Sequence, residues 1–314
     1  MVNGKTQILD CTLRDGGYIN NWQFSKQIAQ DLYNSVSSSG VEYIELGFIY
    51  PSEENLGAGM FKCLTDDYLR IITGDKKRSK IAVMIDFGKF EPNLPERAKS
   101  NIDLVRIACH KKDILDTIPM CQEIKKKGFE VSLQLMNFPS YSENELKEVM
   151  EKCEFIDYIY IADSFGSIDR KVMDFGFEIM KKYKPKIGFH PHNNIQSAFQ
   201  NSLHAIDRGV DILDGTILGL GRGAGNLNLE LLLLYLSEKT DEGYKAEPIL
   251  DFIEKHRDYL LSMQTRNLTY YQMTGVLGLH PKYAIEADEK NIDISLLWDR
   301  LKEIRTDEYK RGKL

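Results

Sequence analysis

The chain has 314 residues, 42% hydrophobic and 28% charged, with a formal net charge of −6 at pH 7. That composition is ordinary for a soluble globular enzyme, and the length holds one α/β barrel of about 250 residues plus about 60 more for a helical extension. A negative balance with no basic stripe excludes nucleic acid as an expected partner, and the longest apolar run, Leu231–Leu236, is far too short to span a bilayer.

The opening residues, Met-Val-Asn-Gly-Lys-Thr-Gln, lack the apolar core of a signal peptide, so a cytoplasmic location is the expectation. The first β-like run is Gln7 to Cys11; Ser25 can cap the helix that follows and Gly40 closes it. Further runs are Tyr43–Leu46, Ile81–Ile85, Leu104–Ile107 and Val131–Leu135, with Lys125-Lys126-Lys127 before Gly128 reading as a helix C-terminus. Ser142 and Glu145 form a capping box ahead of the next helix. The series closes with Tyr158–Ile161, Ile187–His190 (where Asn193 or Asn194 can cap the following helix) and Ile212–Asp214. Roughly eight βα units at about 20 to 40 residues each favour barrel closure, although an open doubly wound sheet has the same local pattern. From residue 246 the pattern is helical only, as in Ile249–Leu261 and Ile294–Ile304, with no Pro/Gly-rich linker. The expectation is a (β/α)₈ TIM barrel over 1–245 with a helical C-terminal extension, 246–314, packed on it and able to serve as an oligomer surface.

The five cysteines, Cys11, Cys63, Cys109, Cys121 and Cys153, are odd in number and contain no Cys-x-x-Cys pair. Neither a disulfide framework nor a thiolate zinc site is expected. Metal chemistry is signalled elsewhere. The first strand runs into Thr12-Leu13-Arg14-Asp15-Gly16-Gly17-Tyr18, and the seventh into His190-Pro191-His192-Asn193. Strand ends converge on one face of a barrel, and residues i and i+2 point the same way, so His190 and His192 can face the axis with Asp15 as a third arm. Two imidazoles and a carboxylate leave open positions for substrate and water. A His-x-His alone is more often incidental, and an Arg-Asp pair alone is usually a salt bridge or a turn.

Together these motifs resemble the TIM-barrel metallolyases with a Thr-Leu-Arg-Asp-Gly signature. That family includes 4-hydroxy-2-oxovalerate aldolase, hydroxymethylglutaryl-CoA lyase and the isopropylmalate and citramalate synthases. The resemblance runs from Ile8 to about Leu232 and takes in Tyr43-Ile44-Glu45-Leu46-Gly47 and Ala162-Asp163-Ser164-Phe165-Gly166. The stretches Gly188 to Asn194, Asp214-Gly215-Thr216 and Gly219 to Asn226 look most like the aldolase branch. The resemblance implies that Asp15, His190 and His192 bind Mn²⁺ or Mg²⁺, with Asn226 a ligand in some branches, and that Arg14 stabilises an enolate oxygen. A 2-oxo acid can chelate such a cation, which acts as a Lewis acid while a guanidinium offsets the developing charge.

At the position where the aldolases carry a catalytic histidine, this chain has Tyr18, and an ordinary phenol is a poor base at neutral pH. His110 beyond strand 4 and Glu45 at the end of strand 2 are therefore candidates for proton transfer. Asp163, Arg106 and Gln134 are candidate substrate contacts: Arg106 and Gln134, like Asp86 and Asn137, lie near strand ends, where a structural polar network is an equal reading, whereas Asp163 has the better claim because it sits in the Asp-Ser-Phe-Gly turn shared with the family. The Gly219–Gly225 loop follows the last strand, which excludes a dinucleotide fingerprint and leaves a tight loop under the site, or a phosphate or coenzyme A contact.

The leading expectation is a metal-dependent aldolase-like lyase acting on a 4-hydroxy-2-oxo acid, with pyruvate and an aldehyde as small-molecule partners. A Claisen-type acyltransferase joining an acyl-CoA to a 2-oxo acid is the alternative, and a non-catalytic scaffold is another. A homodimer, or an aldehyde dehydrogenase partner of the sort some family aldolases bind, is left open. Loop residues Phe138-Pro139-Ser140-Tyr141 are expected to help shape an aldehyde pocket.

Overall fold

The strands are apolar runs because the barrel covers both of their faces, one with side chains of the lumen and one with helices. In the computed structural model, which describes residues 5–51, 57–74, 78–89, 92–264 and 268–310, they are β1 (Gln7–Asp10), β2 (Tyr43–Phe48), β3 (Lys80–Asp86), β4 (Leu104–Cys109), β5 (Glu130–Leu135), β6 (Tyr158–Ala162), β7 (Lys186–His190) and β8 (Ile212–Gly215). They pair in parallel in chain order, and β8 closes on β1, so the sheet is a closed TIM barrel and not a doubly wound one.

Alternation along each strand sorts the residues. Ile8, Ile44, Ile81, Val83, Val105, Ile107, Val131 and Leu133 face outward into the apolar layer under the helices. Leu9, Tyr43, Ala82, Leu104, Tyr158, Tyr160 and Ile212 fill the lumen as a separate buried cluster. One step further toward the C-terminal ends, the inward positions turn polar: Glu45, Arg106, Gln134, His190 and Asp214, all buried. The site therefore stands on a packed apolar plug.

Local signals set the helices. Ser25 Oγ accepts from the Ile28 amide ahead of helix Lys26–Ser38, and Gly40 takes a positive φ of 86° just past its end. The Ser142–Glu145 capping box is present on both sides ahead of helix Glu143–Lys152. Two expectations are corrected. The cap of helix Ala198–Asp207 is Ser197, not Asn193 or Asn194, although Asn193 Oδ1 accepts from the Ala198 amide at 3.2 Å. The βα rhythm also breaks after β3, where Pro92 and Pro95 precede only a 3₁₀ turn, Arg97–Lys99; prolines without an amide proton do not continue a helix there.

Among the described residues, five helices follow the barrel: Glu247–Lys255, Arg257–Ser262, Leu268–Leu277, Lys282–Glu289 and Ile294–Lys310. The expected single helix Ile249–Leu261 is thus broken at His256. Asp31 on the first barrel helix pairs with Lys255 at 2.8 Å and His256 at 2.9 Å, and Asn194 Nδ2 donates to the Tyr271 carbonyl at 3.3 Å. The last three helices gather a small core of their own around Leu277, Leu279, Leu297 and Leu301. No described helix is long and apolar enough to cross a membrane.

Removing the reciprocal cap with Ser142→Ala is expected to lower the unfolding free energy by about 1 kcal/mol, read from the urea midpoint at unchanged slope.

Candidate metal centre

The chain leaves β1 through one helical turn, Thr12–Asp15, and not as an extended strand end. Asp10 holds that turn by accepting from the Thr12 hydroxyl at 2.5 Å and amide at 3.3 Å, while Thr12 Oγ1 accepts from the Ile217 amide at 2.8 Å. The turn carries Arg14 and Asp15 into the barrel mouth. His190 is the last residue of β7, and His192, two residues on, forms an isolated bridge with Asn226.

The ligand-bearing atoms converge. Asp15 Oδ2 lies 3.7 Å from His190 Nε2 and 4.0 Å from His192 Nε2, and one donor atom from each residue falls within 4.8 Å of the others. The far side of each imidazole is tied: His190 Nδ1 meets Asp214 Oδ2 at 2.8 Å, and His192 Nδ1 meets the Gly225 carbonyl at 3.3 Å. A carbonyl only accepts, so His192 Nδ1 carries the proton and Nε2 keeps its lone pair. Burial pushes the Asp214 carboxyl up, but Arg106 and His190 pull it below its ordinary range. It stays ionised and orients His190 in the same way.

Charge agrees with this arrangement. Burial would raise Asp15, yet Arg14, the two imidazoles and the Asn226 amide hold it well below the usual carboxylate range. Burial drives His192 down to about 3 against the pull of Asp15, so it is neutral at physiological pH. An anionic oxygen and two imidazole nitrogens, that of His192 neutral, suit a hard or borderline divalent cation. Asn226 Nδ2 donates to Asp15 Oδ2 at 2.5 Å and to the Leu220 carbonyl at 3.2 Å, while its buried Oδ1 has no hydrogen-bond partner. An orphaned oxygen beside three converging donors is what a cation would satisfy. Gly221 leaves the room: a Cβ there would stand 2.1 Å from Asn226 Nδ2 and 3.0 Å from Asp15 Oδ2.

A second grouping, Cys11 with His190 and Asp214, competes geometrically. Its thiol is pushed well up by burial and approaches the Gly215 carbonyl at 3.5 Å, and Asp214 is already engaged by Arg106 and His190. That set supports the imidazole from behind and is the weaker candidate.

Under the centre, Glu45 Oε2 accepts from Arg14 Nε at 2.7 Å and Arg106 Nη1 at 2.9 Å, and Arg106 continues to Asp214 and, at 3.4 Å, to Gln134. Glu45 and Arg106 are fully buried and outside the wall of the cavity. Gln134 lines it and donates to Ser132 Oγ at 3.0 Å. Asp163 lies behind the wall, where Oδ1 accepts from the Ser167 and Ile168 amides at 2.8 and 3.1 Å, and burial raises its carboxyl to about 7.

The cavity, about 90 Å³, is walled by Arg14, Tyr18, Asp86, Gln134, Ser164 and Arg222 among others. Tyr18 leaves part of its ring open to solvent, but burial and then Asp86 raise its phenol to about 12, so it is a donor at neutral pH. His110 is exposed in an adjoining groove of about 1350 Å³, together with Asn137, Tyr141 and His280. The two spaces share Met136, Ser164 and Arg222. The glycine loop lies against the centre through Gly221 and the Gly225 carbonyl. Asp214 and Arg222 stand in motifs visible in the sequence, but their roles depend on which neighbours the barrel brings to them.

A closed parallel barrel with a carboxylate and two imidazoles at the C-terminal mouth defines a TIM-barrel protein able to hold a metal there. The family model HMGL-like matches residues 5–255, and the chain belongs to that family. It is 29% identical over 315 aligned positions to a 4-hydroxy-2-oxovalerate aldolase of Carboxydothermus hydrogenoformans, covering 96% of this chain and 93% of that protein. It is 26% identical over 249 to an oxaloacetate decarboxylase of Mycobacterium tuberculosis, covering 78% and 73%. Among solved structures, the N-terminal domain of a candidate aldolase from Bacteroides vulgatus superposes with a TM-score of 0.80 at 30% identity, covering 92% of this chain and 98% of that one.

If Asp214 orients His190, Asp214→Asn should weaken Mn²⁺ binding by about 10- to 100-fold in a calorimetric titration. A neutral buried His192 also gives a pH signature. Its folded value lies below the ordinary one of about 6.5, so its contribution to stability is full above that pH and lost as the pH falls toward the folded value. In metal-free protein, the wild-type minus His192→Asn difference in melting temperature should therefore fall on acidification below about pH 6.5.

Proposed function

We propose that this chain is a divalent-cation-dependent carbon–carbon lyase that cleaves 4-hydroxy-2-oxo acids to pyruvate and an aldehyde. The observation that carries the reading is the convergence of Asp15 Oδ2 with the Nε2 atoms of His190 and His192, both rings tied from behind. These three residues would hold Mn²⁺ or Mg²⁺, with Asn226, whose amide donates to Asp15 and whose buried Oδ1 has no hydrogen-bond partner, beside them. When bound, the cation supplies Lewis-acid polarisation of the 2-oxo group.

Arg14 supplies the second positive charge. Its Nε is held by Glu45 and its Nη1 by Asp15, while Nη2 makes no hydrogen bond among the described residues and remains a donor for a substrate oxygen. Cleavage of the C3–C4 bond sends the electron pair onto the C2 oxygen, and the rigid guanidinium offsets the charge that grows there. Tyr18 donates a hydrogen bond and is not the base, because its phenol stays protonated. Glu45 is sealed behind Arg14, so the proton of the 4-hydroxyl leaves to solvent at the cavity mouth, and a solvent proton returns to C3 of the enolate to give pyruvate.

The same protonated Tyr18 favours a second reading, decarboxylation of a 3-carboxylated 2-oxo acid such as oxaloacetate. Loss of carbon dioxide yields the same enolate without a base. Pyruvate release from 4-hydroxy-2-oxovalerate and from oxaloacetate, with Mn²⁺, tests both. Arg14→Lys is expected to reduce kcat by about 10²- to 10³-fold with KM little changed. Pyruvate at the level of a His190→Ala control with both acids would sink the lyase reading.

A further inference from the structure

Lys62 ends the 3₁₀ turn Met60–Lys62, which rests on β2 where Gly47 leaves space. A Cβ at Gly47 would come within 1.9 Å of the Phe61 carbonyl oxygen. The amide of Leu64 donates to the Phe48 carbonyl at 2.9 Å and fixes the segment beyond the turn. This brings a lysine, only 9% exposed, behind Phe48 and Tyr18 of the cavity wall.

Its ammonium stands over aromatic faces, 3.6 Å from the ring centre of Phe48, 4.1 Å from Trp22, 4.3 Å from Tyr50 and 5.8 Å from Tyr18. Phe48 and Tyr18 line the cavity above the candidate metal centre, beside Arg14 and Asp86. Among the described residues, Lys62 Nζ has neither a hydrogen bond nor a carboxylate within ion-pair distance. Asp86 instead accepts from the Tyr50 hydroxyl. Ring faces offset part of the loss of water around a buried ammonium but supply no counter-charge. A methionine would fill the same aromatic box with no such penalty, so packing does not explain a lysine here. Burial lowers its pKa to about 8, with Asp86 opposing, which leaves it largely charged at neutral pH.

The metal ligands and Arg14 account for the 2-oxo acid end of the substrate. We propose that Lys62 recognises a second anionic group on the half of the substrate that leaves as the aldehyde, making the preferred substrates dianionic 4-hydroxy-2-oxo acids. Assignment of that group to the aldehyde half rests on the lyase reading; recognition of a distal anion can be measured without turnover.

The test uses Mn²⁺-loaded protein and two acids that lack the 4-hydroxyl, 2-oxoglutarate with a distal carboxylate and 2-oxobutyrate with a methyl, bound under calorimetry. Wild type is expected to bind the dianion at least about tenfold more tightly. Lys62→Met should abolish the difference while leaving 2-oxobutyrate within about twofold, and Lys62→Arg should keep part of it. A 2-oxo-4-phosphonobutyrate arm separates a carboxylate site from a phosphate site. No preference in wild type, equal weakening of both acids in a folded Lys62→Met protein, or no binding of either acid overturns the proposal. The wild-type preference stands as a readout even if the variants do not fold. A preference that persists while no 4-hydroxy-2-oxo acid is cleaved would sink the lyase reading and leave the anion site in place.

Discussion

The rest of the site depends on the buried carboxylate of Asp214. It accepts from His190 on one side and from Arg106 on the other. Arg106 reaches across the lumen to Glu45, Glu45 holds Arg14, and Arg14 holds Asp15. One line of ion pairs thus ties β8, β7, β4, β2 and the turn after β1, and it ends on two of the three candidate ligands. Each charge has its partner, which is the condition under which such groups are tolerated in a low-dielectric interior. Removing a member would leave its neighbour charged and unpaired, so the network fixes geometry more than it adds stability.

Above that line the backbone takes over. The Gly219–Asn226 loop supplies a carbonyl to His192, an amide side chain to Asp15, and space at Gly221 that no larger residue could leave. Asp10 and Asp163 do comparable work from outside the cavity, each holding a turn through its backbone amides, and burial raises both carboxyls to about 7. Such residues hold the mouth in place from outside the cavity wall. Arg106, Glu45 and Asp163 belong in this group by position, whereas Gln134 and Tyr18 face the cavity.

The aromatic wall has a different character. Tyr18 packs edge-on to Trp22 at 4.7 Å and to Phe48 at 6.3 Å, and Phe48 to Tyr50 at 5.7 Å. Tyr18, protonated at neutral pH, can donate a hydrogen bond into the cavity, and its ring helps enclose Lys62.

The sequence by itself determined the eight strands and the outline of the candidate metal centre, while pairing of β8 with β1 decided closure. Strands covered on both faces leave mostly apolar runs broken by few polar residues, and all eight were legible for that reason. Ser25, Ser142 and Gly40 marked helix ends because caps are local chemistry. His190 and His192 declared a shared direction through the two-residue period of a strand. Only the tertiary structure decided what each polar strand end faces. Glu45 and Arg106 look like cavity residues by position and prove to be sealed ion-pair partners. Lys62 sits in a short turn with no motif, and its aromatic surroundings come from separate segments, 18–22 and 48–50. Periodicity reports the face a residue occupies, but a counter-charge, an orphaned oxygen or an aromatic box arises only when distant segments meet.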